Sequence, residues 1–290
     1  MRKNVKQQLA LRVLSTAALM AMVSSIATAA FAAEYNVKDG SVEIVAKDGI
    51  QSITQRDDTG AFVKDEKGDI DHRQDDDIIL TTKNKDTGET ETTSNTVTIT
   101  AEDGNTANVT LQDVHIETEG SWNNTGSAPI EIKGNGDTNL ELNGDNTVLS
   151  GDSYHAAIEK ADKNGTGTLT IKDDKNDDRS DKDKDENGNA VGRDTGKLLA
   201  GGNYAGAGIG GGSSSNDLAD TSNITIKGGE VTARSGYDYS AGIGGGSNGT
   251  AKNIRIEGNA HVTASGRGGA AIGGGCLGGN HIPLPREPAV

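Results

Sequence analysis

A glycine-rich phrase of seven residues that occurs three times is the feature that most constrains the fold of this chain. Its central isoleucines lie 34 and 29 residues apart, and the copies are residues 206–212, 240–246 and 269–275. Short β-type segments recur between the copies at a matching phase, 223–226 with 253–256 and 230–233 with 261–264. A period of about thirty residues built from short strands is typical of a solenoid, in which each repeat covers the apolar core of its neighbour.

Strict alternation of apolar and polar residues extends the pattern upstream, beginning near residue 94. Period-two alternation predicts that one face of these strands is buried, and we place on it Val97, Ile99, Val109, Leu111, Ile130 and Ile132. No segment of helical period separates the strands. The sequence therefore predicts an all-β fold, a right-handed parallel β-helix (β-solenoid) of about five turns with three short strands each and an irregular N-terminal cap.

An antiparallel sandwich is the competing fold, because joints such as Lys227–Glu230 resemble hairpin turns. A sandwich has no reason to repeat one glycine phrase at a constant phase, so the long period favours the β-helix.

The expected domain organisation has four parts. They are a signal peptide at 1–32, an N-terminal cap and irregular β region at 33–93, the β-helix at 94–276 with an acidic insertion at 173–195, and an irregular tail at 277–290. The repeat stops at Cys276, so we expect either an exposed last turn with end-to-end self-association or a truncated form of a longer protein.

The first 32 residues have the composition of an export signal. A basic start precedes the largely apolar stretch 13–26, and Ala30–Ala32 is a small-x-small cleavage pattern. A transmembrane anchor is the alternative reading of the apolar stretch. We expect the mature chain to be extracellular or on the cell surface, without membrane insertion.

The charge of the expected mature chain argues against nucleic acid and anionic membrane as partners. Loss of the four basic residues of the signal leaves 24 basic and 43 acidic residues, a net charge of −19. Such a chain is a poor partner for nucleic acid or anionic membrane.

Cys276 is the single cysteine, so no disulfide framework exists within one chain. We expect this residue to be partly buried.

The first glycine phrase matches the dinucleotide fingerprint Gly-x-Gly-x-x-Gly at residues 206–211. That motif works by opening a helix, whereas a run of serines follows here, and one cofactor needs one loop rather than three. We interpret the phrases as strands in which one isoleucine points inward and the glycines permit sharp turns or positive φ.

Aromatic residues precede the glycine phrases and related strands at a nearly repeated distance. Tyr154, Tyr204 and Tyr239 lie four, five and four residues before Ile158, Ile209 and Ile243. Equivalent corners of successive turns lie roughly 5 Å apart, so a row of rings is a candidate platform for sugars. The alternative is a structural ladder of turns. The candidate ligand-binding residues are Tyr154, Tyr204, Tyr237, Tyr239, Trp122 and Arg267.

The acidic insertion contains a calcium-loop spacing that begins at Asp183. Oxygen ligands at positions one, three, five, seven and twelve are Asp183, Asp185, Asn187, Asn189 and Asp194, with Gly188 at the turn. Position twelve is usually Glu, and no helices flank the loop. A solvated hairpin with an Asn-Gly turn is therefore the alternative to a Ca²⁺ site.

We find no convincing catalytic constellation, so the chain is not expected to be an enzyme. Glycoside hydrolysis needs two carboxylates facing a sugar, and the only adjacent acidic cluster outside the insertion, Asp75–Asp77, lies in the expected cap. The histidines share no ligand spacing; they are His72, His115, His155, His261 and His281.

The glycine phrases and the segment Asn223–Gly229 resemble a family of secreted right-handed β-helix proteins of anaerobic bacteria, described as carbohydrate-binding domain proteins. The resemblance covers roughly residues 95–275. It implies a calcium-supported β-helix that binds acidic or cellulosic polysaccharide without cleaving it. A structural or adhesive surface passenger is the second hypothesis, and a polysaccharide lyase or glycoside hydrolase is the third.

Overall fold

The computed structural model describes residues 33–120, 126–162, 165–173, 196–213, 218–236 and 239–276. Across these ranges the fold is all-β, and its one helical element is the short 3₁₀ turn Val37–Asp39. Nowhere in them is there a helix long and apolar enough to cross a membrane.

Three sheets carry almost all of the strands. Sheet I has the order β1 (Glu34–Asn36), β7 (Ile78–Thr81), β9 (Thr106–Gln112), β12 (Asp137–Asn143), β15 (Leu169–Lys172), β18 (Thr221–Ile226) and β21 (Ala251–Ile256). Sheet II has the order β23 (Ile272–Gly273), β20 (Ile243–Gly244), β17 (Ile209–Gly210), β14 (Ile158–Glu159), β11 (Ile130–Lys133), β8 (Val97–Ala101), β2 (Ser41–Lys47), β3 (Ile50–Arg56) and β6 (Arg73–Gln74). Sheet III has the order β10 (His115–Glu117), β13 (Asp145–Leu149), β16 (Lys197–Gly201), β19 (Glu230–Arg234) and β22 (His261–Ser265).

The chain visits the three sheets in a fixed sequence. From β8 onward each turn adds one strand to sheet II, then one to sheet I, then one to sheet III, and each strand pairs in parallel with its counterpart in the next turn. Five complete turns run from β8 to β22, and β23 begins the next. The predicted parallel β-solenoid of about five turns with three short strands each is confirmed.

In-register apolar rows explain why these short strands stack. In sheet II the row runs through Val42, Val97, Ile130, Ile158, Ile209, Ile243 and Ile272, so the isoleucine of each glycine phrase is one rung of a continuous row. In sheet I a second row contains Val109, Leu140, Ile171, Ile226 and Ile256. Both rows face a buried core, and the predicted inward positions are all buried.

The glycine phrases place a repeated positive φ directly after each inward isoleucine. Gly210, Gly244 and Gly273 pair in register and have φ of 132°, 136° and 136°. A Cβ on Gly210 would overlap the carbonyl oxygen of Gly244 in the adjacent turn. The predicted need for glycine therefore has two causes, backbone conformation and close approach between turns.

The expected N-terminal cap contributes to the solenoid as well as covering it. Within it, β2 pairs in parallel with β8, and β7 with β9, so both extend the ladders. Antiparallel β3 and β6 then cover the outer edge of β2. A short hairpin is formed by β4 (Lys64–Asp65) and β5 (Gly68–Asp69).

The last described turn lacks such a cover. Ile256 and Ile272 are 44% and 42% exposed, whereas their in-register neighbours Ile226 and Ile243 are 0% exposed. Cys276 is exposed, which corrects the expectation of partial burial. The expectation failed because burial beside a glycine phrase depends on a further turn above it.

Two isoleucines in one row provide a matched test of the core. We expect Ile226→Ala to lower the free energy of unfolding by about 2–5 kcal/mol, because it deletes buried methyl groups and leaves a cavity. Ile256→Ala, in the next turn of the same row, is the control, and we expect less than about 1 kcal/mol because that side chain is half solvated. Denaturant unfolding of dilute protein measures both, and equal losses would contradict the assignment of the row.

Candidate functional site

The loops that precede the sheet II strands hold the predicted aromatic residues. A repeated backbone hydrogen bond fixes their alignment: Ser213 N donates to Tyr154 O at 2.7 Å, Ser247 N to Ala205 O at 2.9 Å, and Cys276 N to Tyr239 O at 2.6 Å. Tyr154, Ala205 and Tyr239 are therefore equivalent positions in three successive turns.

With this alignment the predicted aromatic residues do not form one continuous row. Tyr154 and Tyr239 are two turns apart, or about 10 Å along the axis at normal strand spacing, with alanine between them. Tyr204 lies one residue earlier and is 37% exposed, and Arg267 stands at the same offset before its strand. Trp122 and Tyr237 lie outside the described residues. The row is broken because Tyr204 lies five residues before the isoleucine of its strand, whereas Tyr154 and Tyr239 lie four residues before theirs.

The predicted calcium ligands, Asp183, Asp185, Asn187, Asn189 and Asp194, also lie outside the described residues. Among the residues that are described, no group of three or more His, Cys, Asp or Glu side chains is arranged to hold a metal ion.

A polar groove on the outer face of sheet I is a further candidate binding surface in the described residues, and sequence reasoning missed it. Its volume is about 280 Å³, and we call it the sheet I groove; it is lined by Thr168, Thr170, Asn223, Thr225, Lys227, Asn253, Arg255 and Glu257. These residues come from three successive turns of the solenoid. The outward row Thr170, Thr225 and Arg255 is in register across β15, β18 and β21.

Two asparagines are held rigidly within the groove. Asn223 and Asn253 both have positive φ, 54° and 53°, a region that asparagine tolerates better than most residues. Asn253 Nδ2 donates to Asn223 Oδ1 at 2.9 Å, and Asn223 Nδ2 donates to Gly165 O at 2.9 Å. Their amides are thus fixed by the turns rather than free to rotate. The outward polar positions of alternating strands were the available sequence signal for this surface.

Charges of both signs lie at one side of the groove. Lys227 Nζ is 3.5 Å from Glu257 Oε1, and both side chains are about half exposed. Arg255 adds a guanidinium on the neighbouring row. The groove therefore offers hydroxyl, amide, cationic and anionic groups over a short distance, which suits a ligand rich in hydroxyl groups.

A second cluster lies on the outer side of sheet II, where Glu131 and Glu159 pair in adjacent turns. The Glu159 side chain is 1% exposed. Its carboxylate lies 3.0 and 3.1 Å from His155 Nδ1, and its Oε2 accepts from Ala156 N at 3.1 Å. A Cβ on Gly212 would come within 2.5 Å of that Oε2, so the last glycine of the first phrase leaves room for the buried carboxylate.

The buried carboxylate changes the titration of its histidine partner. Burial by itself lowers the pKa of His155, but the hydrogen bond and charge of Glu159 outweigh it, with further contributions from the charges of Asp152 and Glu131. The net effect is a raised pKa for His155. The sequence did not indicate the pairing of Glu131 with Glu159, because these residues lie 28 positions apart and meet only through the register of β11 and β14.

Comparisons with known proteins agree with the architecture. A family model described as a β-helix repeat matches residues 224–247 and 254–276. The first match runs from the second half of β18 through β19 and β20, and the second from the second half of β21 through β22 and β23, so each corresponds to about one turn of the solenoid. These matches and the fold support a parallel β-helix family. No curated protein and no solved structure matches the chain.

The His155–Glu159 pair predicts a pH-dependent contribution to stability. Because the pKa of His155 is raised in the folded state, the contribution is fully present below the unfolded pKa of about 6.5 and disappears as pH rises through the higher folded pKa. We expect the difference in thermal midpoint between the native chain and His155→Gln to be largest near pH 5.5 and to shrink toward pH 9. The control is His261→Gln, an exposed imidazole on β22; a His155→Gln difference that grows with pH would refute the assignment.

Proposed function

We propose that this chain is a non-catalytic polysaccharide-binding protein, secreted or displayed on a bacterial surface, and that the sheet I groove is its principal binding surface. The observation that carries the proposal is a groove to which three consecutive turns along the solenoid axis contribute hydroxyl, amide and charged groups, with the amides of Asn223 and Asn253 held by hydrogen bonds. A polymer of sugar units presents hydroxyl groups at regular intervals, and a surface with a regular spacing of its own can bond several of them at once.

The composition of the groove supports an acidic or cellulosic polysaccharide as ligand. Threonine hydroxyls and asparagine amides both donate and accept hydrogen bonds, as sugar hydroxyls require. Lys227 and Arg255 add positive charge to a chain that is otherwise strongly acidic, and a carboxylated sugar would meet a favourable local charge there. The net acidic charge of the chain opposes any polyanion, nucleic acid included, so an acidic polysaccharide would bind through the local positive charges of Lys227 and Arg255.

The tyrosine edge is a second candidate surface for the same function. Tyr154, Tyr204, Tyr239 and Arg267 precede the sheet II strands, and Tyr204 is exposed enough for a sugar to stack on its ring. This edge lies before sheet II, whereas the groove lies on sheet I, so variants at the two surfaces distinguish them.

Two other functions compete with glycan binding. A structural or adhesive surface passenger would use the solenoid as a rigid spacer, and the continuous core rows favour it. A polysaccharide lyase or glycoside hydrolase is the weaker alternative, favoured by Glu131 and Glu159 in adjacent turns. Against an enzyme stands the burial of Glu159, whose carboxylate is 1% exposed and occupied by His155 and a backbone amide.

Affinity electrophoresis against a panel of neutral and acidic polysaccharides tests the groove. We expect the double variant Thr170→Val and Arg255→Ala to bind about tenfold or more weakly, because it removes a hydroxyl and a charged donor, each worth about 1 kcal/mol or more. Asn139→Ala is the matched control, since Asn139 occupies the same outward row as Thr170 but lies outside the groove.

Three other outcomes would favour a different binding site or a different function. Loss of binding only in Tyr154→Ala with Tyr239→Ala would move the site to the tyrosine edge. Absence of binding to any polysaccharide by the native chain would overturn the proposal and leave the passenger. Release of reducing or unsaturated sugar would show an enzyme.

We also propose that Ca²⁺ binds Asp183, Asp185, Asn187, Asn189 and Asp194. Calcium should then raise the thermal midpoint, because a ligand that binds only the folded chain stabilises it. We expect a chelator to remove this increase, and Asp183→Asn with Asp194→Asn to abolish it, while Asp177→Asn in the same insertion retains it. A thermal midpoint that neither calcium nor a chelator changes would contradict this proposal.

A further inference from the structure

The outer edges of β21, β22 and β23 form the C-terminal face of the part of the solenoid that the structure describes. In the described residues no strand pairs with the outer edges of β21, β22 and β23. Ile256 and Ile272 lie on this face and are 44% and 42% exposed, although the same rows are fully buried one turn earlier. Free backbone groups beside exposed apolar side chains form a template for another chain.

The last described turn and the N-terminal segment carry net charges of opposite sign. Residues 251–276 contain Lys252, Arg255 and Arg267 with Glu257 as the one acidic residue, a net charge of +2. Residues 34–77, which form the N-terminal strands, contain thirteen acidic and six basic residues, a net charge of −7. Opposite ends of two copies therefore attract, whereas two C-terminal faces repel each other.

Sheet I also offers a strand at each of its two ends. β21 is its last strand, and β1 is its first, paired in the described residues with β7 alone. Sheet II differs, because antiparallel β3 and β6 lie beyond β2 at its N-terminal side. Parallel pairing of β21 with the β1 edge of another copy would continue sheet I.

We propose that a second copy of this chain covers the C-terminal face, in a head-to-tail arrangement that sets β21 of one copy beside β1 of the next. The contact is heterologous, since different surfaces meet, and each added copy presents a new free end. Association of this kind proceeds to linear filaments rather than closed dimers.

The test uses residues 32–290, because the structure separates Ala32–Val290 from the first 31 residues as a unit of its own. Sedimentation velocity should show association that increases with protein concentration and weakens between about 0.05 and 0.5 M salt, as expected for attraction between exposed charges. Association that is independent of concentration or absent would overturn the proposal.

Complementary variants distinguish head-to-tail from face-to-face contact. Lys252→Glu with Ile256→Asp alters the C-terminal face, and Glu34→Lys with Asp76→Lys alters the N-terminal end, at four exposed side chains. We expect each variant to be monomeric alone and an equimolar mixture to associate again, because every head-to-tail contact in the mixture then joins ends of opposite charge. Self-association of the N-terminal variant alone would show contact between two C-terminal faces and would overturn the head-to-tail arrangement.

Two measurements keep the outcome decisive. Circular dichroism and thermal melting of each variant establish that it folds, and a variant that fails is replaced by its single substitutions. Removal of residues 277–290 tests whether this tail, rather than a second copy, covers the C-terminal face. If the native unit is monomeric and the shortened unit associates, the tail covers the face and the proposal is wrong.

Discussion

The parallel hydrogen-bonded ladder between successive turns is the interaction on which the rest of the structure depends. Each strand pairs in register with its counterparts in the turns before and after it, so equivalent side chains stack at the strand spacing and form continuous apolar rows. The core is consequently narrow, because each turn adds one thin layer of aliphatic side chains to it. A narrow core filled by isoleucine, valine and leucine explains how a chain with 3% aromatic residues buries enough apolar surface to fold.

The sequence predicts those parts of the fold that depend on local patterns of residues. Period-two alternation identified the strands, and the recurring glycine phrase identified the rungs of sheet II. The first turn escaped notice because β3, β4, β5 and β6 lie between β2 and β7 and interrupt the period of the repeat. The aromatic row was predicted from spacing alone, and an offset of one residue at Tyr204 was enough to displace it from the register of Tyr154 and Tyr239. The groove and the Glu131–Glu159 pair depend on alignments between turns of unequal length, which no local pattern reveals.

The two outer faces differ in how they treat polar side chains. On sheet II, loops fold over Glu159 and His155, and Gly212 makes room for them, so the polar groups are satisfied internally and removed from solvent. On sheet I, threonine, asparagine and charged side chains remain at the surface of a groove. Polar groups that the protein satisfies itself contribute to specificity of folding, whereas those left facing solvent are available to a ligand.

The corner between sheets I and III tolerates very different lengths of chain. One residue separates β12 from β13 and three separate β18 from β19, whereas 24 separate β15 from β16. The strands on either side of that long segment nevertheless keep the register of their neighbours. Insertion at this corner therefore leaves the core rows unchanged, and the entropy of closing a longer loop rises only slowly with its length. The corner is accordingly a natural site for the evolutionary gain of new peptide segments, and for grafting them by design.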